Sequence, residues 1–164
     1  MKAFTALFAV MWVLAGRADA QPASTPDGMI RAIYRMYEAD NVKGTIKDVA
    51  SRRLKKLIEA DEKATPKGEI GKLDFDVFVN GNDFKVSRVR VRKVPPPEDR
   101  PQPPDRAKVQ ANFISLKKPH EIVFDLVREG GQWKVDDASS MLGEKWTLTK
   151  VLTAKPDAST TGKK

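Results

Sequence analysis

The stretch Ile122-Val123-Phe124-Asp125-Leu126-Val127-Arg128-Glu129-Gly130-Gly131-Gln132-Trp133-Lys134-Val135-Asp136-Asp137 decides the fold class of this 164-residue chain. Ile122, Phe124 and Leu126 alternate with more polar positions, which is the period of a half-buried strand. Gly130-Gly131 reads as a two-residue hairpin turn, since glycine adopts the positive φ that the twist-matched turns need. In that register Leu126 faces Val135 and Arg128 faces Trp133, and both pairs fall on one face of the sheet. Asp136 or Asp137 is expected to end the second strand.

Upstream of the hairpin, a strand is expected over about Lys108 to Leu116, with Val109, Ala111 and Phe113 inward and a turn at Lys117 to His120. Pro95 to Pro104 holds six prolines in ten residues. Proline removes ladder donors and favours extended chain, so residues 94–105 form an exposed loop between two strands of one domain. Before it, Phe84 and Val86 are even-numbered, whereas Val89 and Val91 are odd. A strict strand cannot turn all four to one face, so we expect a bulge near Ser87 and Arg88, or a strand that starts only at Ser87. Downstream, Trp146, Leu148, Val151 and Leu152 suit a last helical turn or two, although Trp146 and Leu148 also fit a strand. Residues 154–164 have the composition of a disordered tail.

The N-terminal half reads as helix. Pro26 and Asp27 stand at a helix start, and Ile30, Ile33, Tyr34 and Tyr37 share one face. Asn41 to Gly44 breaks this helix. Thr45 and Asp48 resemble a capping box with Asp in place of Glu or Gln. A second helix carries an inner stripe of Ile46, Val49, Ala50, Leu54, Leu57 and Ile58, with Arg52, Arg53, Lys55 and Lys56 on its solvated side. Lys63 to Gly71 is a polar loop, and Leu73 to Phe78 leads to a turn at Asn80-Gly81-Asn82-Asp83. Helices followed by antiparallel strands make the fold α+β, with two N-terminal helices packed on a curved antiparallel sheet and a short C-terminal helix.

Residues 1–20 read as a signal peptide. Lys2 is followed by an apolar run from Ala3 to Gly16, interrupted by Thr5, and then by Ala18-Asp19-Ala20. Cleavage is expected between Ala20 and Gln21, leaving residues 21–153 as one exported domain, periplasmic or secreted. No later stretch is apolar enough to span a bilayer. The chain carries 30 Lys+Arg and 22 Asp+Glu, a formal charge of +8. Loss of Lys2, Arg17 and Asp19 with the leader removes a net +1 and leaves +7. The absence of cysteine excludes disulfides, thiol nucleophiles and a lipid anchor, and the single histidine, His120, excludes a multi-histidine metal centre. No metal or cofactor is expected. Export argues against nucleic acid and leaves an envelope protein or an anionic ligand as the partner of a basic surface.

With Asp74-Phe75-Asp76, Asn82-Asp83 and Gly131-Gln132-Trp133-Lys134-Val135-Asp136-Asp137 placed, the chain resembles a bacterial family of exported proteins and lipoproteins, domain of unknown function 3828, from about Met29 to Leu152. Val77 stands where the family pattern suggests Pro, and Asn82 where it suggests Gln. The resemblance implies a cone similar to the nuclear-transport-factor-2-like fold. It implies no activity, since that cone hosts enzymes, binders and inhibitors alike.

Four groups of residues are candidate sites. Arg88, Arg90 and Arg92 alternate along one strand and would line one face, with Lys85 and Lys93 near in sequence; guanidiniums in a row grip phosphates or carboxylates, and the plainer account is a solvated, charge-protected edge. Tyr34, Tyr37, Trp133 and Phe124 could line a cavity between helix and sheet, or simply form core. Asp74, Asp76 and Asp83, with Asn80 and Asn82, gather oxygen ligands in a spacing unlike an EF-hand, and turn chemistry accounts for them more simply. Asp74 and Asp76 as an acid/base pair would make a hydrolase, unless they accept bonds from neighbouring backbone amides. Asp136 and Asp137 would cap the last helix, or place a carboxylate at a cavity rim. His120 reads as a solvated turn histidine. The leading expectation is a non-enzymatic binding protein for a protein partner or anionic ligand, of inhibitor or immunity type; a small-molecule binder using the cone's interior is the alternative.

Overall fold

The structure is a computed structural model that describes residues 24–154. The expected signal peptide, its cleavage point and the tail from residue 155 lie outside the described residues. The fold is α+β: a five-stranded antiparallel sheet with a few helices.

Helix α1 spans Pro26–Glu38. Thr25 caps it by accepting the Gly28 N–H at 3.1 Å, and Pro26 fills the first turn, where its missing donor costs nothing. The capping box of Thr45 and Asp48 forms and starts α2, Ile46–Val49. Here the expected second helix divides, giving three N-terminal helices rather than two. Ala50 is extended, and the Ser51 N–H leaves the helical ladder to donate to the Val135 carbonyl at 2.7 Å. The Ser51 hydroxyl then accepts the Leu54 N–H and caps α3, Arg52–Ala64. The apolar stripe runs across the break unchanged, so periodicity alone could not reveal it.

The strands are β1 (Val86–Val94), β2 (Arg106–Ser115), β3 (Lys118–Glu129), β4 (Gln132–Ser140) and β5 (Trp146–Thr147), in sheet order β1-β2-β3-β4-β5. Helix α4, Leu148–Thr153, closes the domain. The hairpin register is as read: Leu126 pairs with Val135 and Arg128 with Trp133. Gly130 and Gly131 have φ of 56° and 80°, a turn of the kind that matches strand twist. The strand does not end at Asp136 or Asp137. It continues to Ser140, with Asp136 as an extra residue where the register shifts between Asp125 and Leu126.

The preceding turn is tighter than expected. Leu116 and Lys117, both at positive φ, make a two-residue turn, and His120 lies within β3. Its ring stacks on Phe113 at 5.1 Å and 8°. His120 is therefore no solvated turn residue, and burial is the main cause that holds its imidazole below its usual range. A bulge is present in β1: Arg88 has φ 55°, and the register with β2 shifts between Ser87 and Arg90.

The inner face of the sheet buries Val109, Ala111, Phe113, Ile122, Phe124, Leu126, Val135 and Ala138. Helix α1 lies over β1 and β2, while α2, α3 and α4 pack near β4. Each large side chain taken fully out of water contributes about 1.5–3 kcal/mol.

Candidate functional site

The acidic segment folds inward. Asp76 and Gly81 form a two-way bridge, with N–H···O distances of 3.1 and 3.3 Å. This turns the chain at Val77-Phe78-Val79-Asn80, earlier than the expected turn at Asn80-Asp83, and drives Val77, Phe78 and Val79 into the core. One Asp76 oxygen accepts the Phe78 N–H at 2.9 Å, and the other accepts the Tyr37 hydroxyl at 2.5 Å. The Tyr34 hydroxyl donates to the Phe78 carbonyl at 2.8 Å. Asn80, at φ 54°, accepts the Trp146 indole N–H at 2.5 Å. Asp76 and Asn80 thus have structural partners within the fold.

This arrangement fixes the tyrosines as donors. Burial, and then the Asp76 carboxylate through hydrogen bond and charge, pushes the Tyr37 hydroxyl far above its usual range. Burial does the same for Tyr34, with Tyr37 and Asp76 adding to it. The aromatic rings fill the space between helix and sheet: Tyr34 meets Phe113 at 5.1 Å, Tyr37 meets Phe84 at 5.1 Å, and Phe78 meets Phe124 at 5.6 Å. Tyr37 borders a hollow of only about 40 Å³. The expected ligand cavity at Tyr34 and Tyr37 is therefore occupied by their own neighbours.

Asp74 and Asp83 are exposed, and neither shares the Asp76 bonds. Asp74 and Asp76 both border an open cleft of about 400 Å³ floored by Ile46, Ile58 and Leu73, where Lys47 and Glu62 form a 2.5 Å ion pair. Asp76 accepts a neighbouring backbone amide and a phenol while Asp74 stands exposed, so the two carboxylates do not share the bonding of an acid/base pair. Among the described residues no group of three or more His, Cys, Asp or Glu is placed to hold a metal.

Asp136 and Asp137 have separate structural roles. Asp137 accepts the Thr149 N–H at 3.1 Å and its hydroxyl at 2.6 Å, tying β4 to the first turn of α4. Asp136 accepts the Ser51 hydroxyl at 2.6 Å and Arg53 Nε at 3.0 Å, and Arg106 stands at 3.7 Å. Burial acts to raise its carboxyl, but hydrogen bonds from Arg53 and Ser51 and the nearby cations outweigh that and hold it below its usual range.

The arginines behave differently. Arg88, Arg90 and Arg92 are all exposed, and among the described residues no carboxylate lies within 4 Å of any of them. The stripe is two arginines long rather than three. Arg90 and Arg92 pair with Asn112 and Gln110 and point away from the core residue Val91, while the bulge takes Arg88 out of the alternation. The Gln110 side-chain oxygen, on a residue only 8% exposed, accepts Arg92 Nε at 3.1 Å and Nη2 at 2.8 Å.

Sequence reasoning missed the other cations of this region. The proline-rich loop folds beside Val94 and encloses a hollow of about 460 Å³ that Arg100, Arg106 and Lys108 border. Lys108, on β2, is the register partner of Val94, but each of these cations has a carboxylate beside it: Lys108 stands 2.5 Å from Asp125, Arg106 3.7 Å from Asp136 and Arg100 3.6 Å from Asp99. The only signal was the arginine inside the proline run. Trp133 stands elsewhere, in an apolar groove of about 300 Å³ between α1 and the β3–β4 turn, with Met29, Ile33, Met36 and Val49.

The chain matches no family model, no curated protein and no solved structure.

Proposed function

We propose that this chain is an exported, non-enzymatic binding protein whose β1–β2 side engages an acidic protein surface or an anionic ligand, with an inhibitor or immunity-type role as its specific form. The observation that supports this reading is the exposed Arg90–Arg92 row, which among the described residues has no carboxylate within 4 Å. Unneutralised cations on a chain of net positive charge attract anions over about one Debye length, roughly 8–10 Å in physiological salt. The leader-like N-terminus supports an envelope location. The proposal carries with it the cone similar to the nuclear-transport-factor-2-like fold and the kinship to domain of unknown function 3828 that the sequence motifs suggest.

The test is capture from envelope extract by the mature chain, beside an Arg88→Glu/Arg90→Glu/Arg92→Glu variant. A partner held by the wild type, lost by the variant and released by about 0.5 M salt supports the reading. Equal capture by both chains refutes it.

A second reading rests on the Trp133 groove, which has the apolar lining of a small-molecule site. There a ligand-induced thermal shift would vanish in Trp133→Ala and survive in Tyr37→Phe.

A further inference from the structure

The two edges of the sheet are treated differently by the rest of the chain. On the β4 side, Ala50 bridges Val135, and β5 pairs with Ser139 and Ser140. Among the described residues, nothing pairs with the outer edge of β1. This free edge has defined ends. Its register with β2 is unbroken over the five residues Arg90–Val94. The bulge at Arg88 closes one end, and Pro95, which has no N–H, closes the other. Five residues is the length of an ordinary strand.

We infer that this edge accepts an extended acidic peptide as a sixth strand; the inference rests on the β1–β2 side being the binding surface. Backbone pairing would supply affinity, and the flanking side chains would supply specificity. On an added strand, alternate residues lie beside Arg90 and Arg92 at cross-strand distance, about 4.5–5.5 Å between Cβ atoms. Those positions call for Glu or Asp. The intervening residues lie on the side of Val91, at the rim of the core, and call for apolar groups. The partner is therefore a segment of alternating acidic and apolar residues.

Arg92 is prepared for this role, because Gln110 already holds its guanidinium through two N–H groups and leaves the others free. A side chain fixed before binding loses less entropy on binding. The same features that would receive an acidic strand turn away a second copy of β1, whose arginines would lie against these. Edge protection and partner choice are then one device.

The experiment measures fluorescence anisotropy of a labelled Glu-Val-Glu-Val-Glu-Val-Glu peptide with the chain Gln21–Lys164. Three comparisons accompany it: the same peptide N-methylated at alternate amides, polyglutamate, and the variant Arg90→Glu/Arg92→Glu. The inference expects binding of the parent peptide, a loss of about tenfold or more on N-methylation, and no binding by the variant. Amide exchange at Arg90–Val94 should slow in the complex. If the N-methylated peptide binds as tightly as its parent, or if these amides gain no protection, strand addition is overturned while the anionic reading stands. Binding of polyglutamate without binding of the alternating peptide has the same meaning. If no acidic probe binds, both the inference and the proposed function fall.

Discussion

The Asp74–Asp83 segment and the Arg88–Val94 segment are both candidate sites in the sequence, and they use charge in opposite directions. In the first, Asp76 spends both oxygens on Phe78 and Tyr37, and Asn80 is bound by Trp146. In the second, Arg90 and Arg92 stand exposed with no carboxylate within 4 Å among the described residues. A polar group whose partners are all internal builds the fold. A charge that the fold leaves without a counter-charge remains available to something outside it. Density of acidic residues is therefore a poor guide to a site, and partner bookkeeping is a better one.

Substitutions can break this contrast, and the largest effect should come from the inward segment. Asp76→Ala leaves the Tyr37 hydroxyl and the Phe78 amide without partners in the core, and should cost about 3 kcal/mol in urea unfolding. Tyr37→Phe removes one bond cleanly and should cost about 1 kcal/mol. Equal costs for the two would mean that the Phe78 amide is satisfied in some other way. Next comes Asp136→Asn, expected to cost about 1–2 kcal/mol at neutral pH through the Arg53 and Ser51 bonds. Because the folded carboxyl is held below its unfolded value, its contribution is present above about pH 4 and lost as pH falls through the folded value. The variant should show a flatter acid limb, and an unchanged limb would remove Asp136 from the account.

The turn offers a gain. Leu116 and Lys117 occupy the left-handed region, which asparagine and glycine favour. Leu116→Asn/Lys117→Gly should therefore raise stability by about 1 kcal/mol. Smallest is Arg90→Glu/Arg92→Glu, expected to change stability by less than about 0.5 kcal/mol. A larger loss would show that these arginines serve the fold and would dissolve the contrast.

The sheet was legible where pattern and turn chemistry coincide. Alternation and Gly130-Gly131 set the β3–β4 register to the residue, and the switch of parity between Val86 and Val89 announced the β1 bulge. What escaped has tertiary causes. The break at Ala50–Ser51 depends on a bond to Val135, far along the chain, and the bulge at Asp136 on the partners that gather around that carboxylate. The site was legible only in part. Arg90 and Arg92 could be named from sequence, but that Arg106 and Lys108 meet Asp136 and Asp125 depends on strand pairing, and no local rule sets that. Tyr34 and Tyr37 misled because an inward tyrosine needs a hydrogen-bond partner, and a loop carbonyl or carboxylate meets that need as well as a ligand would.

The strand order has a consequence in time. Every strand pairs with its neighbour in sequence, so the sheet can zip from local loops at low closure entropy. The helices cannot wait on anything so close: Ser51 meets Val135 and Asp136 only after β4 exists. A chain appearing N-terminus first therefore holds α2 and α3 without the β4 surface they pack on until its last third arrives, whereas α1 can dock on β1 and β2 earlier. Ser51→Ala should then speed unfolding and leave the folding rate nearly untouched, whereas Phe124→Ala should slow folding itself.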